Sequence, residues 1–157
     1  MAIWDDVIPE DERELLLNTI YRSGPLPYGA RPVLLVVDMT NAFVTDDYPT
    51  GWAATGKPAA DAIKQLLPLA RQKGVPVVYT TGRVGSVPAE RGYWKDSGSG
   101  LDGLQNPHRH SIYSELQPLP GEPILPKSKP SAFFGTDLQS ILVYHHADTL
   151  IVTGMVT

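Results

Sequence analysis

Val33-Leu34-Leu35-Val36-Val37-Asp38 is the stretch that most constrains how this chain can fold: five consecutive aliphatic residues with no polar alternation, closed by an acid. A strand with one face in water alternates apolar and polar residues. An unbroken run of this length therefore belongs to a strand covered on both faces, as in a parallel sheet flanked by helices. After a polar loop holding Asp46, Asp47, Pro49 and Gly51, residues 58–73 place Ala59, Ile63, Leu66, Leu67 and Ala70 at helical spacing and stop at Gly74. A second apolar strand, residues 75–80, follows at once. Strand, helix, strand with continuously apolar strands predicts a right-handed parallel crossover.

The rest of the chain extends the pattern. Residues 122–127 predict a third strand. Thr136 is placed to cap a helix with Leu138, Ile141, Leu142 and His145 on one side, and residues 149–153 predict a fourth strand. The expected fold is α/β, a doubly wound, mostly parallel sheet in three α/β/α layers. Its domain occupies residues 32–157, and residues 1–31 form an amino-terminal extension with a short helix over 9–20, where acidic residues in the first turn suit the helix dipole. Residues 82–120 are rich in Gly, Pro, Ser and charge and show no long period. A connection of that length inside a compact domain is usually functional.

Composition narrows the function. With 157 residues, 42% of them hydrophobic, the chain can bury one substantial core, and its net charge of -4 with scattered Lys and Arg argues against a nucleic-acid partner. No apolar run approaches the roughly 20 residues that span a bilayer. Met1 to Asp6 is acidic where an export signal would be basic, so a cytoplasmic protein is expected. With no cysteine, the 157 residues hold neither a disulfide nor a thiolate metal site.

Open parallel sheets bind ligands at the carboxyl ends of their strands. Asp38 closes the first strand, Lys127 the third, and the turn Gly154-Met155-Val156-Thr157 the fourth. A lysine converging on an acid from another strand end would compensate its burial. Spacing alone leaves open whether the two form a site, a plain ion pair or two solvated loop charges.

Three ordered motifs carry a resemblance. Val36-Val37-Asp38-Met39-Thr40-Asn41-Ala42-Phe43 resembles the first-strand motif of the isochorismatase-like cysteine hydrolases. Residues 127–138, Lys127 through Ser131-Ala132-Phe133 to Leu138, resemble their second motif, and Ile151-Val152-Thr153-Gly154-Met155-Val156-Thr157 resembles the start of their third. Ile3-Trp4-Asp5-Asp6-Val7-Ile8-Pro9 looks like the extension of the N-carbamoylsarcosine amidohydrolase branch, which also includes maleamate amidohydrolases.

The resemblance implies a hydrolase without cofactor that cleaves a small linear amide or an N-carbamoyl amino acid and releases ammonia. Asp38 would be its proton-transfer carboxylate and Lys127 the cation of an Asp-Lys-Cys triad, with Lys129 a neighbour. Met155, Val156 and Thr157 would form an oxyanion-hole turn with a cis peptide between Met155 and Val156. The thiol would lie three residues after Thr157. It also implies a homodimer or homotetramer. An isochorismatase-type vinyl-ether hydrolase, which the family builds without a cysteine, and a non-catalytic binding module are the alternatives.

A parallel strand at residues 149–153 is expected to lead into a further crossover helix, so the domain is expected to be truncated at its carboxyl end and residues 1–157 alone to be inactive. Among other residues, Phe43 and Trp94 are candidates for lining a pocket, and Arg83 and Arg91 for clamping a substrate carboxylate. Trp52 and Tyr93 read more readily as core. His108, His110, His145 and His146 are not expected to bind metal, because the metal-binding relatives use an Asp-x-His pair and residues 46–52 contain no histidine.

Overall fold

The computed structural model describes residues 9, 11–12, 27–84, 89 and 106–155. Most of the helix expected over residues 9–20 lies outside them, as do Arg91, Tyr93, Trp94, Val156, Thr157 and the peptide between Met155 and Val156. The described elements are β1 (Pro32–Val37), α1 (Asn41–Val44), α2 (Ala53–Gln72), β2 (Val77–Gly82), α3 (Pro107–His110), a 3-10 turn (Ser114–Leu116), β3 (Ile124–Lys127), α4 (Leu138–Tyr144) and β4 (Thr149–Gly154). The four strands form one sheet in the order β3-β2-β1-β4, and every pairing in it is parallel.

The apolar run in β1 is explained by what covers it. Alternate strand residues point to opposite faces. Leu34, Val36, Val77 and Tyr79 pack with Ala60, Ile63 and Leu67 of α2 on one face, whereas Val33, Leu35, Val78 and Leu125 pack with Leu138 of α4 on the other. Helices on both faces make the sheet doubly wound. Among the described residues β4 pairs only with β1, and Ile151 and Val152 are 37% and 49% exposed. No helix among the described residues is long and apolar enough to cross a membrane.

Among the boundaries that differ from the sequence expectation, three have a traceable reason. The helix α2 begins at Ala53, ahead of Pro58, because the Asp46 carboxylate accepts the Ala53 N–H at 2.8 Å and the Trp52 carbonyl accepts from Gly56 at 2.8 Å. These bonds build a first turn that needs nothing from the proline. The start of β2 slips to Val77 because the Val75 N–H is taken by the Ala70 carbonyl at 2.9 Å. At α4 the residue in the N-cap position is Asp137, whose side chain makes no capping bond. Thr136 acts from one residue earlier, its hydroxyl accepting the Leu138 N–H at 3.2 Å and donating to the Ala132 carbonyl.

Candidate active site

Asp38 leaves β1 in the left-handed region, at φ 51°. Only glycine enters that region freely, with Asn and Asp next. The conformation is held by the neighbouring strand. The Thr80 hydroxyl accepts the Asp38 N–H at 3.0 Å and donates to Asp38 Oδ1 at 2.7 Å, and Thr80 is 0% exposed. One buried hydroxyl thus fixes both the backbone and the carboxylate of the acid.

The other carboxylate oxygen meets Lys127. Strand β3 is separated from β1 by β2, so the two residues start about 10 Å apart across the sheet. The register sets Lys127 beside Gly82, and its ammonium reaches Asp38 Oδ2 at 2.5 Å. Side-chain exposure is 8% for Lys127 and 22% for Asp38. The ammonium also donates to the Lys129 carbonyl at 3.4 Å, and the Lys127 carbonyl accepts the Arg83 N–H at 3.0 Å. A β-carbon at Gly82 would lie 2.4 Å from His110 Nδ1, so glycine permits the close approach of the 106–116 segment to the strand end.

The pair opens into a cleft of about 700 Å³, also lined by Phe43, Trp52, Arg109, Lys129 and Met155. Phe43 is where the sequence suggested. Trp52, read from sequence as core, instead lines the cleft and is 63% exposed. Arg83 lines a separate hollow of about 450 Å³, whereas Asp38 and Lys127 line the cleft, with Gly82 and His110 shared by both cavities. Arg109 was missed by sequence reasoning. It lies on α3 within the long connection, and no local pattern marks it.

Away from the cleft, Arg71 near the end of α2 bonds Glu122 ahead of β3 at 2.8 Å and the Tyr79 hydroxyl at 3.3 Å. Burial pushes the Glu122 carboxyl up, but Arg71 and the Leu119 N–H pull it down further, leaving it below its ordinary value. Burial raises the Tyr79 phenol to about 12. This brace fixes α2 against the strands that carry Thr80 and Lys127. Among the described residues no group of three His, Cys, Asp or Glu side chains could hold a metal ion, and His108 is engaged by the Tyr48 hydroxyl at 2.8 Å.

What the arrangement can do is move a proton. A carboxylate held by a hydroxyl on one oxygen and an ammonium on the other, facing a cleft, is positioned to accept and return a proton at a fixed point. The cysteine-free chain supplies no thiol to attack a carbonyl.

Comparison with known proteins agrees with this architecture. The Isochorismatase domain family model matches residues 32–157. The chain is 30% identical to an N-carbamoylsarcosine amidase of Arthrobacter sp. over 132 residues, covering 81% of this chain and 50% of that protein. It is 34% identical to the isochorismatase of Bacillus subtilis over 131 residues, covering 83% of this chain and 41% of that protein. With a ureidoacrylate amidohydrolase RutB of Cronobacter turicensis it shares 29% identity over 90% of this chain and 70% of that one. The chain thus spans about half the length of the first two. Among solved structures, a cysteine hydrolase from Pseudomonas syringae pv. phaseolicola superposes with a TM-score of 0.73 at 28% identity, over 84% of this chain and 64% of that one. The N-carbamoylsarcosine amidase of Thermoplasma acidophilum gives 0.62 at 26%, over 79% and 67%.

Proposed function

The chain belongs to the isochorismatase family, and from that premise we propose that it carries the Asp-Lys part of the active site of a cysteine-dependent amidohydrolase, which cleaves a small linear amide or N-carbamoyl amino acid and releases ammonia. The observation that carries the reading is the 2.5 Å contact of Lys127 with Asp38 at the floor of the cleft, each residue coming from a motif at a strand end.

The proposed chemistry needs a thiolate. A free thiol with a pKa near 8.5 is only about 3% ionised at neutral pH, and a nearby ammonium such as that of Lys127 shifts it toward the thiolate. On this reading the sulfur stands three residues after Thr157 and attacks the carbonyl carbon. Backbone N–H groups of the turn after β4 hold the oxyanion. Asp38, having taken the thiol proton, returns it to the departing ammonia, and water then hydrolyses the acyl–sulfur bond, a thioester from an amide and a thiocarbamate from an N-carbamoyl acid. Residues 1–157 without a thiol are expected to release no ammonia.

The 34% identity with an isochorismatase supports a second reading, vinyl-ether hydrolysis that relies on the aspartate. The two separate in one experiment on the gene product that carries this chain. Ammonia release from N-carbamoylglycine or N-carbamoylsarcosine, abolished by Asp38→Asn, supports the amidohydrolase. Turnover of isochorismate with no ammonia from any N-carbamoyl acid refutes it in favour of the ether hydrolase.

A further inference from the structure

Arg109 and Lys129 are charged residues lining the cleft that the proposed chemistry does not use, and Arg109 is the one that carries a guanidinium. Its guanidinium carbon sits 5.7 Å from the centre of the Tyr48 ring, and one terminal nitrogen makes a long 3.5 Å contact with the Thr50 hydroxyl. Its Nε is shut off from solvent and has no hydrogen-bond partner among the described residues. A buried donor left unpaired is costly, and a guanidinium beside an aromatic ring still offers a planar fork suited to a carboxylate. Arg83 also has an unpartnered Nε, but it lines the other hollow.

The charges of the cleft point the same way. Asp38 and Lys127 neutralise one another, and among the described residues the other Lys, Arg, Asp or Glu side chains lining the cleft are Arg109 and Lys129, both cationic. A cleft with surplus positive charge favours an anion.

We propose that Arg109 is the anchor for the carboxylate of the substrate, so that the cleft selects small organic acids over their neutral analogues and sets the scissile group toward Asp38 and Lys127. This inference rests on the cleft being the substrate site but not on which bond is cleaved. It makes Arg109 a specificity residue that touches substrate, with Tyr48 and Thr50 holding its side chain.

The test is isothermal titration of succinate and of dimethyl succinate into the gene product carrying this chain, as wild type, Arg109→Gln and Arg109→Lys. The expected result is wild-type preference for succinate by tenfold or more, loss of that preference in Arg109→Gln with the diester unaffected, and an intermediate value for Arg109→Lys, which keeps charge but not the fork. Equal succinate affinity in wild type and Arg109→Gln overturns the proposal. So does an equal loss for both ligands in both variants, which marks a structural role, and so does a wild type that does not discriminate. Should the discrimination hold while no N-carbamoyl acid releases ammonia, the amidohydrolase reading falls and the anion site stands.

Discussion

Thr80→Val tests whether Asp38 is held as described. Valine has nearly the volume of threonine, so the change deletes one hydroxyl from a site that is 0% exposed without opening a cavity. Two bonds are lost together, the 2.7 Å donation to Asp38 Oδ1 and the 3.0 Å acceptance from the Asp38 N–H. A hydrogen bond to a charged group contributes about 1.5–3 kcal/mol, and the N–H left behind adds to the loss, so about 3 kcal/mol is expected in total. Thr80→Ser keeps both bonds and removes one methyl group, for about 1 kcal/mol. For a chain of this size these become falls in Tm of about 6–12 °C and about 2–4 °C. Thermal and urea unfolding of the two variants, with unchanged m-values, reads the difference. Ammonia release should follow the same order, because the carboxylate that Thr80 aligns is the proposed proton carrier. A valine variant as stable as wild type, or no worse than serine, refutes the claim that this hydroxyl fixes the acid.

Two further perturbations probe the scaffold. Tyr79 has its phenol raised to about 12, so the stability it contributes is complete below its unfolded value near 10 and is lost as pH rises through about 12. Urea midpoints should show a loss of about 1 kcal/mol by pH 11 that Tyr79→Phe removes, and an identical alkaline limb in the variant would contradict this. Gly56 in α2 faces α1 so closely that a β-carbon would lie 2.7 Å from Val44 Cα and 3.2 Å from Met155 Sδ. Gly56→Ala should therefore destabilise by about 1 kcal/mol or more in a melting experiment despite alanine's better helix propensity, whereas stabilisation would mean that the helices can move apart.

How much of this could be read in the sequence depended on whether the determining contact was local. The β1 run was legible because burial on both faces leaves a mark on every residue, and Asp38 stood out as an acid ending it. Lys127 was visible by the same strand-end reasoning. The start of α2 was not, because Asp46 builds that turn across seven residues of loop while Pro58 suggests a beginning. Thr80 was hidden for another reason. Threonine is an ordinary strand former, and only the β1–β2 pairing reveals that its hydroxyl faces Asp38. Arg109 reaches the cleft through a connection without periodicity, and the sequence reading turned instead to Arg91, outside the described residues, and to Arg83, which lines a different hollow.

The central claim is that Asp38 and Lys127 act as one unit in amide hydrolysis. The most direct measurement is ammonia release from an N-carbamoyl acid by the gene product carrying this chain, comparing wild type with Asp38→Asn, Lys127→Met and the double variant. Groups that act as a unit are not additive, so each single change should cost about 10²-fold or more in kcat and the double variant should fall no further than the worse single one. Asp38→Asn turning over within a few-fold of wild type, or losses that multiply in the double variant, would contradict it.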